Sequence, residues 1–195
     1  KILDGMYYGI DRDGLSFRHA QGKLLVGGGS HRTGKLGGFC HLRERIEEYY
    51  PQAKEVAWWA AQDCMPHDGI PFIGRFSIKH ENWYVATGFQ KWGMTSAMVS
   101  AELLCAAILD KKSDYEELFT PSRSILTTQL PINIFESTIG LLTPSTKRCP
   151  HLGCALKWNK EEHTWDCPCH GSRFDKEGRI LNEPAQKKIT KASHI

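Results

Sequence analysis

The hydrophobic pattern of the first third of the chain predicts short strands followed by one helix. Three apolar runs, MYYGI, LSFRHA and KLLVGGG, are separated by glycines and by the turn sequence DRDG, as in a β-meander. CHLRERIEEYYP then places Leu42, Ile46 and Tyr49 at helical spacing, and Pro51 closes the segment. The next run, AKEVAWWAAQD, is expected to form a further strand.

The middle of the chain has the pattern of a strand, a glycine turn and a buried helix. DCMPHDGIPFIGRF is rich in turn residues, and NWYVATG is a short strand pattern that ends in glycine. In FQKWGMTSAMVSAELLCAAILDK an apolar stripe keeps helical spacing at Met94, Met98, Ala101, Cys105 and Ile108. Because this helix is apolar nearly all round, it is expected to be buried. Its N-terminus can receive an electron-rich ligand oxygen.

The last third begins as a predicted linker and ends in a β pattern. From residue 114 to about residue 146, three prolines and many Ser and Thr residues predict a linker with some short strands. CALKWN, HTWDC, SRFD and GRIL are then short β runs separated by turns. The expected fold class is α+β, with a mixed sheet and helices in residues 1–128 and an all-β domain in residues 129–195.

Composition and charge exclude several classes of protein. The net charge is only +3 and no basic stripe is present, so neither a nucleic acid nor a membrane surface is an expected partner. No apolar run reaches the length of a membrane span and no signal-peptide pattern is present, so we expect a cytoplasmic protein. The chain opens at Lys1 without an initiator Met and is expected to be a fragment.

The glycine-rich stretch GGGSHRTGK invites comparison with a phosphate-binding loop. Gly29, Gly34 and Lys35 match the spacing of such a loop, but Leu36 stands where a metal-binding Ser or Thr is required. A strand end that approaches a ligand or another backbone through its glycines is the favoured interpretation.

Four of the seven cysteines are concentrated in two short motifs, CPHLGC and CPCHGS. Each motif contains a Cys-x-His or Cys-x-x-His unit, so two thiolates and two imidazoles can converge from two loops. A Cys2His2 zinc site is the main alternative, although zinc fingers group their cysteines and their histidines separately. The other cysteines are scattered, as is typical of inert thiols: Cys40, Cys64 and Cys105.

The two motifs resemble those of Rieske iron–sulfur proteins. The resemblance implies a [2Fe–2S] cluster in which Cys149 and Cys167 hold one iron, while His151 and His170 hold the other. The region from Ser137 to the first motif is only about a dozen residues long, STIGLLTPSTKR. Rieske domains build several strands before that point, so the base of this domain is expected to be incomplete.

The Rieske proteins of cytochrome bc and related complexes carry CTHLGC and CPCHGS with a bridge between the two loops. This resemblance implies a disulfide between Cys154 and Cys169, and a pair of reduced thiols is the alternative. Ser172 resembles the serine whose hydroxyl bonds a cluster sulfur, and Pro184 resembles the proline of the covering loop. Phe174 replaces a Tyr found in high-potential members, so a lower reduction potential is expected.

The first half of the chain resembles the C-terminal part of the D-amino-acid-oxidase-like FAD oxidoreductases, which include glycine and sarcosine oxidases. The motif in MPHDGIPFIGRF matches at Asp68, Gly69, Pro71, Ile73 and Gly74. The resemblance implies FAD as a cofactor and places near it Thr87, Gly88, Gly93, Met94 and Thr95. The chain contains no GxGxxG fingerprint, so part of the FAD is expected to be bound by a segment not present here. A plain β-loop-α packing unit is the alternative.

Together the two resemblances predict an FAD-dependent amine or amino-acid oxidoreductase that passes electrons through a Rieske cluster to a one-electron acceptor protein. Whether the fragment alone is active is left open. His31, Arg32 and Arg75 are candidates to face a substrate carboxylate, with solvated loop residues as the alternative. A second hypothesis is a non-catalytic electron carrier whose first half is a docking or structural module. A subunit of a membrane respiratory complex is disfavoured because no anchor is seen.

Overall fold

The computed structural model describes residues 4–11, 14–35, 37–77, 79–124, 126–127 and 129–189. In chain order the elements are β1 (Met6–Tyr8), β2 (Ser16–Ala20), β3 (Lys23–Gly27), α1 (Cys40–Tyr49), β4 (Phe72–Arg75), β5 (Tyr84–Thr87), α2 (Gly93–Ile108), α3 (Glu116–Phe119), α4 (Gln129–Leu142), β6 (Lys157–Asn159), β7 (Thr164–Asp166), β8 (Arg173–Phe174) and β9 (Ile180–Asn182). This mixture of helices and antiparallel sheets confirms the α+β fold class.

The chain divides into two compact units. The first unit consists of Lys1–Ala60 and Glu136–Ile195, and the second unit is Ala61–Phe135. Helix α4 contributes residues to both units. The predicted domain boundary near residue 129 coincides with the start of this helix and stays a prediction.

The predicted β-meander forms at the start of the first unit. Strands β1, β2 and β3 pair antiparallel in chain order. Gln21 and Gly22 connect β2 to β3 with φ values of 50° and 71°. Positive φ at both central residues is what a two-residue hairpin turn requires, since its twist then matches that of the strands. Helix α1 also forms as predicted and buries Leu42.

The strand predicted in AKEVAWWAAQD is wrong. The described residues 53–66 contain neither a strand nor a helix. Val56 and Trp59 are exposed, and Trp58 packs its ring 5.0 Å from the ring of Phe39. A strand needs a neighbouring strand to pair its backbone groups. The pattern of a single segment does not reveal whether that neighbour exists.

The second sheet of the first unit is an antiparallel meander with the order β6-β7-β8-β9. Its four strands correspond to the four short runs predicted from the sequence. Phe174 on β8 is fully buried and packs in one cluster with Leu156, Ala185 and three cysteines of the two motifs. The core of this unit therefore lies directly beneath the CPHLGC and CPCHGS loops.

A buried charge network holds the β7–β8 pair to the preceding turn. The Nε of Arg173 donates to Asp166 Oδ1 at 3.2 Å, and its Nη2 donates to Glu162. The Thr164 hydroxyl donates to the same Asp166 oxygen at 2.8 Å. Thr164, Asp166 and Arg173 are buried, and the side chain of Glu162 is only 6% exposed. Such charges are tolerated inside a protein only when they are paired.

The second unit contains the hairpin β4–β5, on which helix α2 packs. Strand β4 occupies FIGR, a stretch for which the sequence predicted only turns. Gly69 takes a φ of +73° just before it. The turn is therefore shorter than predicted, and Phe72 onwards pairs with the strand predicted in NWYVATG.

Helix α2 forms as predicted, but the prediction that it is buried nearly all round is wrong. Met94 is 87% exposed and Met98 is 74% exposed. The rest of the predicted stripe is exposed as well: Ala101, Cys105 and Ile108. The buried residues are instead Ser96, Ser100 and Leu103. A helix that is apolar all round has no preferred direction, so its pattern cannot select the face that packs.

The linker with short strands predicted for residues 114–146 is also wrong, because this stretch contains α3 and α4. Pro131 is the third residue of α4. Proline is tolerated there since the first backbone N–H groups of a helix have no partner within the helix. The proline that suggested a linker is therefore compatible with the first turn of a helix.

An ion pair in the second unit joins the PHDG turn to residue 123. Arg123 donates to both carboxylate oxygens of Asp68, at 2.7 and 3.0 Å, and to the carbonyl of Pro71 at 3.1 Å. Its guanidinium also lies 3.8 Å from the centre of the Phe72 ring. The hydrogen bonds from Arg123 are the main reason that the pKa of Asp68 falls from 3.8 to about 2.

This pKa gives an expected pH dependence of stability. Because the folded pKa lies below the unfolded value, the Asp68 carboxylate stabilises the fold above about pH 4. That contribution is lost as the pH falls from about 4 to about 2. We expect a loss of about 1–2 kcal/mol, discounted for solvent screening. The free energy of unfolding of Asp68→Asn should lack this component, while Asp110→Asn, at an exposed pair with Arg75, should keep it. Equal pH slopes in the wild type and Asp68→Asn would contradict the assignment.

Candidate metal centre

Each of the two motifs folds into a tight loop that closes on itself. The N–H of Cys149 donates to the Cys154 carbonyl at 2.8 Å, and the N–H of Gly153 donates to the Cys149 carbonyl at 2.8 Å. The second motif repeats the arrangement with Cys167, Gly171 and Ser172. Gly153 has a φ of +83°, and its counterpart has +85°. Glycine is favoured at this point because the left-handed conformation strains other residues.

The two loops bring a pair of buried thiols together. Cys149 is 2% exposed and Cys167 is 1% exposed, and neither forms a disulfide. The Cys167 thiol hydrogen-bonds the Cys149 sulfur, which lowers the pKa of Cys149 and raises the pKa of Cys167. Two adjacent buried thiolates repel each other, so both ionise only when a cation compensates their charge. This donor pair therefore fits a shared metal ion.

The two histidines of the motifs lie at the surface edge of the same site. The ring centroids of His151 and His170 are 5.0 Å apart, and the rings meet edge to face at 86°. Burial, and then the positive charge of His151, lower the pKa of His170. A neutral imidazole is the form that binds metals. The Cys149 thiol interacts electrostatically with both imidazoles, so thiols and imidazoles of the two loops share one site, as mixed ligation of an iron–sulfur centre requires.

The predicted disulfide between Cys154 and Cys169 is present and links the two loops. The Sγ atoms of these two residues lie with that of Cys167 within 4.8 Å of one another. Because the sulfurs of Cys154 and Cys169 are bonded to each other, they cannot also serve as thiolate ligands. Gly140 of α4 packs against this bridge, and a Cβ there would lie 2.7 Å from the Cys169 sulfur. No local pattern in the sequence indicated that long-range contact.

Removing this bridge in Cys154→Ala/Cys169→Ala is expected to lower the free energy of unfolding by about 3 kcal/mol. The bridge joins residues at a sequence separation of 15. Closing a loop of this length lowers the conformational entropy of the unfolded chain, which stabilises the fold by about 3 kcal/mol. Denaturant unfolding of the cluster-loaded protein, followed by loss of visible absorbance, measures the effect. Cys64→Ala/Cys105→Ala, which removes two exposed free thiols, is the matched control. A double variant as stable as its control would show that the bridge contributes nothing.

Ser172 is fully buried between the two motifs and the loop that contains Pro184. Its Oγ accepts a hydrogen bond from the N–H of Ala185 at 3.0 Å. The same hydroxyl hydrogen-bonds the Cys149 sulfur and helps to lower the pKa of that thiol. This position suits a donor to a metal-bound sulfur, the role predicted for it. Phe174 lies in the core beneath and has no hydroxyl to offer.

A glycine-rich segment of the first unit, residues 28–35, lies against the second motif. We call it loop 28–35. A Cβ at Gly34 would lie 2.7 Å from the backbone nitrogen of Pro168. Lys35 Nζ is 2.7 Å from Glu136 Oε2. The prediction that this glycine-rich strand end approaches another backbone is therefore confirmed. His31, proposed from the sequence as a substrate residue, contacts the Gly29 carbonyl through Nδ1 at 3.0 Å.

The start of helix α1 is held by a residue of the β6–β7 turn. The Glu161 carboxylate accepts hydrogen bonds from the Phe39 N–H at 3.0 Å and from the Cys40 thiol at 2.6 Å. These contacts lower the pKa of Glu161. Negative charge at a helix N-terminus is stabilising because the first N–H groups point towards it. No local pattern in the sequence indicated that residue 161 caps a helix 121 positions earlier.

The five residues predicted to contact flavin lie between the end of β5 and the first turn of α2: Thr87, Gly88, Gly93, Met94 and Thr95. Gly88 has a φ of +79°, and a Cβ there would lie 2.5 Å from Pro66. A Cβ at Gly93 would meet no atom within 4 Å, and the next two residues are exposed. The backbone can thus be approached at the helix N-terminus, where an electron-rich group is favoured. Contact with FAD stays a prediction.

Arg75, the third candidate for substrate binding, makes several contacts within the second unit. Its guanidinium donates to Asp110 Oδ1 at 2.8 Å and to the carbonyl of Glu81 at 3.1 Å. It also lies 5.8 Å from the centre of the Tyr84 ring. These contacts join β4 to the end of α2, and a role with substrate stays a prediction.

Comparison with known proteins adds family assignments to this geometry. The family model of FAD-dependent oxidoreductases matches residues 2–107, and the model of the Rieske [2Fe–2S] domain matches residues 111–193. YhfW of Bacillus subtilis (strain 168), provisionally named a Rieske 2Fe-2S iron-sulfur protein, is 34% identical over 236 aligned positions. The alignment covers 95% of this chain and 46% of YhfW, so the chain spans about half of that relative. Since the alignment is longer than the chain, the relative carries additional residues within the matched region.

Shorter matches come from iron-sulfur subunits of cytochrome b6-f complexes. The cytochrome b6-f complex iron-sulfur subunit 1 of Nostoc sp. is 46% identical over 41 residues, which are 21% of this chain and 23% of that subunit. The chloroplastic subunit of Arabidopsis thaliana is 51% identical over 37 residues, 19% of this chain and 16% of its own. No solved structure matches the chain.

The described part of the chain contains no helix of the length and hydrophobicity that a bilayer crossing requires. The two family matches imply a redox protein with FAD and a [2Fe–2S] cluster as cofactors. The chain belongs to the FAD-dependent oxidoreductase family and carries a Rieske [2Fe–2S] domain in its C-terminal part.

Proposed function

We propose that this chain is the electron-transfer part of an FAD-dependent amine or amino-acid oxidoreductase. In this proposal Cys149 and Cys167 hold one iron of a [2Fe–2S] cluster, and His151 and His170 hold the other. When bound, FAD would supply two-electron oxidation of the substrate, and the cluster would supply one-electron transfer. The observation that supports the proposal is the convergence of two buried free thiols with two surface imidazoles.

The residues around the ligands have distinct tasks in this proposal. Phe174 and Leu156 exclude water from the thiol side of the site. Ser172 donates a hydrogen bond to a ligand sulfur, which favours the more negative, reduced state. The exposed imidazole edges of His151 and His170 face solvent and give a partner protein its shortest approach. A partner protein would therefore accept electrons on the histidine side.

The family match of the first half of the chain supports flavin as the electron donor. Its match to FAD-dependent oxidoreductases covers residues 2–107. The open backbone at Gly93 supports contact with an electron-rich edge of the cofactor. The amine or amino-acid substrate rests on the resemblance to glycine and sarcosine oxidases alone.

Anaerobic substrate addition tests the transfer from flavin to cluster. The protein is purified in its longest natural form, and a panel of amines and amino acids is added in a stopped-flow spectrometer. We expect flavin absorbance to bleach first and cluster absorbance to follow at a rate independent of protein concentration. A cluster that is reduced only by chemical reductants, in protein without bound flavin, would instead support the non-catalytic carrier.

A further inference from the structure

The last turn of helix α4 lies against the base of the first motif. The N–H of Ala155 donates to the carbonyl of Gly140 at 2.8 Å. A Cβ at Gly140 would lie 2.7 Å from the Cys169 sulfur, so the helix backbone also contacts the disulfide. A backbone bridge between Arg148 and Ala155 closes the motif on the same side. The C-terminus of α4 therefore supports the loop that contains Cys149.

The side chain of Arg148 joins this helix end to the interior of the first motif. Arg148 directly precedes Cys149 in the chain. Its Nη1 donates to the carbonyl of Gly153 at 2.7 Å and to the carbonyl of Leu141 at 3.1 Å. Its Nη2 donates to the carbonyl of Thr143 at 3.1 Å. Carbonyls at the end of a helix have no partner within the helix, so an arginine donor is favourable there.

The contact with Gly153 is the one that acts on the ligand loop itself. The N–H of Gly153 donates to the carbonyl of Cys149, so Arg148 binds the residue that closes the loop on the cysteine. A guanidinium is planar and presents its donors in a fixed arrangement, which lets one side chain hold several carbonyls at once. An ammonium group on a flexible stem does not have this geometry. The Arg148 side chain is exposed, so its removal should affect the loop more than the core.

We propose that Arg148 is a positioning residue of the metal centre, which orients the Cys149 thiol by anchoring the first ligand loop on the C-terminus of α4. Groups beyond the ligands fix the ligand orientation in metal sites, and their loss typically weakens metal binding by about 10–100-fold. The inference rests on ligation by Cys149 in the proposed function and not on flavin.

Electron paramagnetic resonance and chelator-induced cluster loss test the role of Arg148 in the cluster-loaded protein. We expect Arg148→Gln to shift or broaden the signal of the chemically reduced cluster, because the ligand geometry changes. Release of iron to a chelator should be roughly 10-fold faster than in the wild type. Arg148→Lys should resemble Arg148→Gln, since it keeps the charge but not the set of carbonyl contacts. If Arg148→Gln does not fold, Arg148→Lys decides by the same two measurements.

Lys147→Gln is the matched control for charge. It removes the neighbouring cation, whose Nζ lies 4.4 Å from the centre of the Trp165 ring, and should leave the signal and the release rate unchanged. The free energy of unfolding is measured in every variant. A wild-type signal and release rate in the Arg148 variants, at any stability, would overturn the proposal, and so would an equal change in Lys147→Gln. Absence of iron from the wild-type protein would instead reject the ligation itself.

Discussion

Replacing Cys167 by serine is expected to abolish the iron–sulfur cluster. Cys167 is 1% exposed and its thiol hydrogen-bonds the Cys149 sulfur, so it is one of the two buried thiols of the proposed ligand set. A serine hydroxyl at this position stays protonated and cannot replace the soft thiolate that iron–sulfur centres use. We expect visible absorbance and bound iron to fall to background. Iron analysis and absorption spectra of the purified variant measure the result.

Cys105→Ser is the matched control for this substitution. Cys105 is an exposed free thiol on α2, outside the two motifs. Its replacement should leave the iron content and the spectrum of the cluster unchanged. Full iron content in Cys167→Ser, or an equal loss in Cys105→Ser, would show that the thiol pair does not hold the metal.

The second large effect is expected at Arg173. Arg173→Met removes the partner of both Asp166 and Glu162 and leaves two buried carboxylates without a counter-charge. Breaking a buried pair from one side costs about 3–5 kcal/mol, mainly because the remaining charge is uncompensated. Chemical denaturation followed by circular dichroism measures the loss. The β7–β8 pair should be the part that loosens, since Arg173 begins β8.

Arg179→Met is the control that tests whether the stability loss comes from burial of the ion pair or from loss of a charge pair alone. Arg179 also pairs with a carboxylate, at 2.5 Å from Asp175, but its side chain is 73% exposed. Exposed pairs contribute about 0–1 kcal/mol. A similar stability loss in both variants would mean that the burial of the Arg173 network has no special role.

The helices, strands and turns that depend on neighbouring residues could be predicted from the sequence. The hairpin turn at Gln21 and Gly22, the helix that buries Leu42 and the short strands around the motifs all follow from neighbouring residues. The disulfide between Cys154 and Cys169 was predicted because the two motifs resemble a known pair of loops. These features require no knowledge of distant contacts.

The contacts that position the metal centre were not predictable in the same way. Gly140 packs on the disulfide, Gly34 packs on Pro168, and Glu161 caps α1. Each contact joins residues far apart in the chain, so no local pattern carries it. The prediction of the buried face of α2 failed for a related reason, since Met94 and Ser96 are equally compatible with a helix. The partner of a helix decides its buried face.

Family boundaries and compact units also differ in this chain. The FAD-dependent oxidoreductase match ends at residue 107, yet Lys1–Ala60 folds with the Rieske motifs. The hydrogen bonds from Phe39 and Cys40 to Glu161 belong to this shared unit. Contacts group the residues that pack together, whereas a family match groups the residues that share descent. The predicted division near residue 129 lies between the end of this match and Glu136, where the chain returns to the first unit.

Pulsed electron paramagnetic resonance of the reduced protein tests the central claim most directly. The claim is that Cys149, Cys167, His151 and His170 ligate one [2Fe–2S] cluster. Couplings from two imidazole nitrogens are expected in the wild type, and replacement of His151 should remove one of them. A reduced cluster without nitrogen couplings would contradict the claim, and so would zinc in place of iron.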